Sequence, residues 1–174
     1  MTDRTYPDEP VDSFPEPPDS FTDGEGRTIG IEPADADDFE ALVDMYVDFD
    51  PADRAQGIPP VDEEPIREWL DALFVEGALN VVARHDGRVV GHALLMPDGH
   101  GAYELAVFVL HDYQGAGIGT ELLKELLGHG QAEGVEQVWL TVERWNDPAI
   151  ALYRKLGFET SDAESFELEM SIRL

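Results

Sequence analysis

The residues Gln114-Gly115-Ala116-Gly117-Ile118-Gly119 are the part of this sequence best suited to chemistry. They follow an alternating apolar stretch and lead into a run with helical periodicity. A glycine-rich turn that opens a helix directs unpaired backbone N–H groups at one point, with the positive end of the helix dipole behind them. Glycines at 115, 117 and 119 also remove the β-carbons that would hold an anion away. Two common phosphate loops do not fit. No Lys-Ser/Thr pair follows, as a Walker A loop requires, and the glycines lack the G-x-G-x-x-G spacing of a dinucleotide fold. Taken alone, the turn reads equally well as a tight structural connection.

Other reactive residue types are sparse. The chain has no cysteine, so it has no disulfide framework, thiolate nucleophile or thiolate metal site. The five histidines (85, 92, 100, 111, 129) show no metal-ligand spacing and read as loop or surface residues. No serine or histidine constellation suggests a covalent intermediate.

Charge is the unusual feature. Thirty-eight acidic residues face eleven basic ones, a net charge of −27, and the only lysines are Lys124 and Lys155. The acid is spread along the whole chain. It suits either an acidic surface for a basic partner or a surface adapted to strong salt, where a Debye length of about 3 Å mutes self-repulsion. The even spread and the scarcity of lysine resemble proteins of salt-loving archaea and favour the second reading. Sequence-nonspecific nucleic-acid binding is excluded, because a phosphate backbone needs cations this chain does not offer.

The elements that must position the loop are legible from periodicity. The 174 residues suffice for one domain, and 43% hydrophobic content suits a globular core. No apolar run approaches the ~20 residues that span a bilayer. The first residues lack a secretory signal pattern, so a cytoplasmic location and no membrane partner are expected. Residues 1–26 carry Pro7, Pro10, Pro15, Pro17 and Pro18 among Asp, Glu and Ser. Tyr6, Val11, Phe14 and Phe21 are too few to offset about 1–2 kcal/mol of backbone entropy per residue, which predicts a flexible tail before a domain over 27–174.

Within that domain, residues 28–32 read as a strand. Phe39, Leu42, Val43 and Tyr46 mark one helix, and Ile66, Trp69, Leu70, Leu73 and Phe74 mark another, with a Pro/Gly-rich loop over 50–60 between them. Residues 80–84 and 89–96 are strands around an Asp86-Gly87 hairpin turn, and 103–110 is a third. Ile118, Leu122, Leu123, Leu126 and Leu127 share one face of a helix closing near Gly134. Val138, Leu140 and Val142 alternate as a strand. Residues 149–156 form a helix between Pro148 and Gly157, and the alternation from Phe166 to Leu174 predicts a last strand. The order β-α-α-β-β-β-α-β-α-β is an α/β (α+β) mixed sheet. Three consecutive strands argue against a doubly wound Rossmann sheet.

Gln114-x-x-Gly117-x-Gly119, placed between a strand and an amphipathic helix, resembles the Q/R-x-x-G-x-G/A signature of the GNAT N-acetyltransferases. Asn146-Asp-Pro-Ala149-Ile-Ala-Leu-Tyr153-Arg-Lys-Leu-Gly157-Phe158 resembles a second segment of the same family, N-x-x-A-x-x-L-Y-x-K-x-G-F. The resemblance covers residues 28–174 and agrees with the element order. It implies the GNAT acyl-CoA N-acyltransferase fold, in which two central parallel strands splay and the pantetheine arm of acetyl-CoA lies in the gap. The backbone of Val107, Phe108 and Val109 would pair with that arm, and the Val109 N–H would polarise the thioester and then stabilise the oxyanion. Gln114, Gly115, Ala116, Gly117, Ile118, Gly119 and Thr120 would hold the pyrophosphate. Asn146 would cap the next helix near the cofactor, a place equally filled by a plain N-cap.

Tyr153 matches the family's usual general acid, which protonates the departing coenzyme A thiolate. A core tyrosine is the competing reading, because Ala149, Tyr153 and Leu156 share a helix face. Glu104 lies on the strand where many relatives carry a general base, and Glu143 is the alternative; a one-residue bulge would decide which strand residues face the cleft. The acceptor site would form from the first helices, the 50–60 loop with Arg54, the hairpin and residues 160–169. Asp48, Asp50, Asp53 and Asp162 would attract a cationic amine, and small-molecule and protein amines both fit. The implied activity is acetyl transfer from acetyl-CoA to a primary amine without a metal. A non-catalytic acyl-CoA-binding regulatory module is the second reading. The expected partners are acetyl-CoA and an amine, with a homodimer left open.

Overall fold

The computed structural model describes residues 4–54, 58–163 and 167–174. In chain order, β1 (Asp19–Thr22) and β2 (Thr28–Pro33) precede helices α1 (Phe39–Val47) and α2 (Glu63–Leu73). A meander of β3 (Leu79–His85), β4 (Arg88–Pro97) and β5 (Tyr103–Val109) follows, then α3 (Ile118–Ala132). The chain ends with β6 (Gln137–Glu143), α4 (Asp147–Leu156), β7 (Glu159–Ala163) and β8 (Glu167–Arg173). These strands form one sheet, ordered β1-β2-β3-β4-β5-β6-β8-β7. Every neighbouring pair is antiparallel except β5–β6, which is parallel.

The mixed α/β architecture is as expected, with two strands more than the sequence pattern announces. Both β1 and β7 are edge strands, short and largely polar (DSFT and ETSDA), so neither carries an apolar alternation. Backbone pairing on one side is enough to hold them. Phe166, expected to open the last strand, and residues 55–57 of the acceptor loop lie outside the described residues. The β3–β4 hairpin turns as Asp86-Gly87 predicts, with φ of 50° and 81° at its two central residues.

Alternation along β4 separates the two faces of the sheet. A β-carbon on Gly91 would meet Leu122 of α3 at 2.7 Å, whereas the next residue, His92, bonds Tyr46 of α1. On the α3 face, Ile118, Leu122, Leu123, Leu126 and Leu127 are all buried, each contributing roughly 1.5–3 kcal/mol. On the α1–α2 face, Tyr46, Trp69 and Phe108 pack edge to face at 5.0–5.7 Å.

His92 corrects the expectation of a surface histidine. It is fully buried, with Nδ1 2.7 Å from the Tyr46 hydroxyl and Nε2 2.7 Å from Asn80 Oδ1. Asn80 Nδ2 donates to Leu73 O at 3.0 Å, which leaves Oδ1 as the acceptor. Nε2–H therefore donates to Asn80, and the Tyr46 hydroxyl donates to Nδ1. The ring is neutral in this arrangement, and burial pushes its pKa down to about 3. The sequence hid it because a lone His in an apolar strand shows no partner; Tyr46 comes from a separate helix.

The N-terminal stretch also departs from expectation. It runs along the domain as a strap, so the sheet begins before residue 27. Thr5 O accepts from Ser171 Oγ at 2.6 Å, Pro7 O accepts from Arg173 Nε at 2.8 Å, and Val11 N–H donates to Arg173 O at 2.9 Å. Phe14 N–H donates to Gln131 Oε1 at 2.8 Å, and Val11, Phe14 and Phe21 pack on the core. Prolines hold this segment extended, which lowers the entropy lost on docking. Glycine helps it approach: a β-carbon on Gly128 would lie 1.9 Å from Pro15 O.

Candidate active site

The site begins as a break in the sheet. Strands β5 and β6 pair only at Tyr103↔Val138 and Glu104↔Trp139, although each is seven residues long. Beyond Glu104 they diverge around a cleft of about 400 Å³. Leu110 N–H donates to Val90 O at 3.0 Å. Strand alternation then turns the N–H groups of Phe108, Ala106 and Glu104 towards β4, and those of Leu105, Val107 and Val109 towards the gap. Val107 and Val109 thus offer backbone to the cleft. Phe108 differs, contributing its ring and not its peptide. No register shift interrupts the β4–β5 pairing, so Glu104 and Phe108 share a face with no bulge between them.

The glycine loop lies at the wide end of the break. Gly115 and Gly117 have φ of 73° and 91°, where a side chain would be strained, and Gly117 is the N-cap of the fifteen-residue α3. Among the described residues no side chain caps this helix, so its first N–H groups stay available. Gly115 and Gly117 are exposed, with open space where their β-carbons would stand. The β1–β2 turn buttresses the loop from behind, as Gly24 N–H donates to Ala116 O at 2.9 Å. Gln114 departs from the pyrophosphate role. Its backbone N–H donates to His111 O at 3.1 Å, and its side-chain amide donates to Asp53 at 3.0 Å and Val109 O at 3.1 Å. It acts here as a clamp joining the glycine loop, β5 and Asp53.

Tyr153 and Glu104 both line the cleft, together with Glu143 and Asn146. Tyr153 is only 9% exposed and packs edge-on against Phe158. Its hydroxyl has no hydrogen-bond partner among the described residues, and burial pushes its pKa up to about 12. A phenol so placed stays protonated and has a proton to offer the cleft. Glu104 is open to the cleft yet recessed. Burial raises its pKa, Arg4 beside it opposes that rise, and Asp98 adds to it. Arg4 arrives with the N-terminal strap, stacked 3.5 Å over the Trp139 ring and 3.3 Å from Glu169. Asn146 Oδ1 accepts from Ala149 N–H at 3.4 Å, a plain N-cap whose position also borders the cleft.

Phe49, Asp53, Ile58 and Phe108 form one wall of the cleft, and Thr141, Glu143 and Glu167 belong to the other side. Asp48 instead pairs with Arg88 at 3.0 Å, and Asp50 caps a turn through Ala52 N–H at 2.9 Å. Asp162 sits on edge strand β7, and neither it nor Arg54 lines the cleft. Ligand atoms of Asp50, Asp53 and His111 lie within 4.8 Å of one another, a proximity that chain spacing conceals. The His111 Nδ1–Asp53 contact of 3.0 Å accounts for that grouping and raises the pKa of the exposed imidazole.

A mixed sheet opened between two parallel strands, with a glycine nest at the next helix, defines an acyl-CoA transferase fold. The chain belongs to the Acetyltransferase (GNAT) family, whose profile matches residues 39–158. It is 35% identical over 121 residues to an uncharacterized N-acetyltransferase of Mycobacterium tuberculosis, covering 63% of this chain and 78% of that protein. Ribosomal-protein-alanine N-acetyltransferase from Brucella melitensis superposes with a TM-score of 0.68 at 30% identity, over 83% of this chain and 99% of that one. A phosphinothricin acetyltransferase from Sinorhizobium meliloti in complex with AcCoA shares the fold, with a TM-score of 0.69 at 23% identity over 84% and 88% of the two chains. The chain is accordingly an acetyltransferase of this family.

Proposed function

We propose that the chain transfers the acetyl group of acetyl-CoA directly to a primary amine bound in the β5–β6 cleft. The observation that carries this reading is the early divergence of β5 and β6, which frees the backbone of Val107 and Val109 for the pantetheine arm. The N–H groups from Gly115 to Thr120 hold the diphosphate, with Gln114 bracing the loop from the side. Val109 N–H polarises the thioester carbonyl and then stabilises the oxyanion. Glu104 accepts the proton of the incoming ammonium, directly or through water. The amine attacks the carbonyl carbon, the C–S bond breaks, Tyr153 gives its proton to the departing sulfur, and the acylated nitrogen gives up its second proton, directly or through water, to restore the phenol. With no cysteine in the chain, a thiol-reactive dye reads released coenzyme A without background from the protein. Coenzyme A release that requires both acetyl-CoA and an amine supports the proposal. Tight acetyl-CoA binding by calorimetry, with no release across a broad amine panel, would make the chain a non-catalytic acyl-CoA-binding module.

A further inference from the structure

We infer that the acceptor is an aliphatic di- or polyamine without acid groups, held by the carboxylates that flank the cleft. The inference rests on the transfer reading above and adds the acceptor's chemistry. Asp53, Glu104, Glu143 and Glu167 line the cleft, and among its described lining residues there is no lysine, arginine or histidine. Residues 55–57 and 164–166, which border it in sequence, are Ala-Gln-Gly and Glu-Ser-Phe and add no cation. An acceptor carrying a carboxylate or phosphinate would face like charges with no cation on the lining to pair with it, since Arg4 and His111, the nearest cationic side chains, already pair with Glu169 and Asp53.

The register sharpens the point. Glu143 and Glu167 are direct cross-strand partners on β6 and β8, so their side chains emerge side by side on one face. Like charges placed so are unfavourable in the free protein, and a cation between them removes the penalty. Neither makes an ion pair with a described residue. Across the cleft Asp53 does have partners, His111 and Gln114, which hold its carboxylate in place at the rim. Tyr153, nine-tenths buried with an unpartnered hydroxyl, lines the same cleft and places the reacting end there. Between these polar groups stand Phe49, Ile58 and Phe108, an apolar wall that suits methylenes. One nitrogen would meet the thioester at Val109 while a second rests at the Glu143–Glu167 pair, which the strand register places level with Phe108. The net charge of −27 further concentrates polycations near the protein at low salt.

The test is coenzyme A release by the full chain at saturating acetyl-CoA, comparing putrescine, butylamine, phosphinothricin and a peptide beginning with alanine. Putrescine is expected to exceed phosphinothricin and the peptide in kcat/KM by about 100-fold or more. Glu167→Gln is expected to raise the KM for putrescine about 10-fold and to shrink its advantage over butylamine. Faster turnover of phosphinothricin or of the peptide would overturn the inference while leaving acetyl transfer intact. Equal use of butylamine and putrescine would overturn the second cationic subsite. Turnover with no amine at all would remove the transfer reading, and this inference with it.

Discussion

Replacing Tyr153 with Phe deletes one hydroxyl and leaves the ring against Phe158. Since that hydroxyl has no partner among the described residues, its loss orphans nothing, and stability should change by less than about 1 kcal/mol. The kinetic effect follows from the pKa of about 12. At pH 8 only about one phenol in 10,000 is ionised, so the acid is present throughout the working range. A thiol in water titrates near ~8.5, about 3.5 below Tyr153, so complete proton transfer to a solvated thiolate would be uphill by roughly 5 kcal/mol. The cleft also desolvates the thiolate, which narrows the gap without reversing it. Tyr153 therefore acts late and as a weak acid, which places its contribution at the low end of general acid catalysis. We predict that kcat falls about 100-fold, equivalent to ~2.7 kcal/mol, with the acetyl-CoA dissociation constant unchanged. Steady-state dye assays and calorimetry on wild type and variant measure both quantities. A kcat within about threefold of wild type, with normal folding, would refute this role.

The raised pKa of Glu104 predicts that kcat/KM falls as pH drops through a value above the ordinary carboxylate range, and Glu104→Gln should abolish that acidic limb; an identical limb in the variant would assign it elsewhere. His92 titrates near 3 when folded and about 6.5 when unfolded, so protons bind the unfolded chain first. Stability should drop by up to about 1.4 kcal/mol per pH unit between those values, and His92→Gln should flatten the slope in urea titrations. Gly128→Ala would ordinarily stabilise a helix by up to about 1 kcal/mol. Here the added carbon strikes Pro15, so a lower Tm and faster proteolysis before residue 19 are expected, and a higher Tm would contradict the docked strap. With a net charge of −27 and few cations nearby, acetyl-CoA should bind more tightly as the Debye length shrinks from about 10 Å to about 3 Å in rising potassium chloride. Affinity that falls steadily to molar salt would show that the loop's backbone donors are not the main contacts.

What the sequence made legible is what periodicity and special residues encode. Helix α3 could be read from five apolar residues, the hairpin from Asp86-Gly87, and the tight turn before α3 from Gly115 and Gly117, which adopt positive φ. Partnership across the chain was not legible. His92 needs Tyr46 and Asn80 to become a neutral core residue, and Gln114 needs Asp53, sixty-one positions away, to become a clamp. The strap failed for a different reason. Its few apolar residues looked insufficient for folding alone, but docking onto an existing core through backbone bonds requires far less buried surface. Of the cleft wall, Asp53 was legible as a charge, whereas Phe49 and Ile58 gave no signal, since exposed and lining apolar residues look alike in sequence.

Direct transfer to the amine is the centre of this account, and a rapid-quench single turnover with acetyl-labelled acetyl-CoA tests it. The account predicts label passing from acetyl-CoA to the amine nitrogen with none bound to protein at any time, and no loss of label when the amine is withheld. Label appearing on the protein before it reaches the amine, or released as acetate without amine, would contradict it.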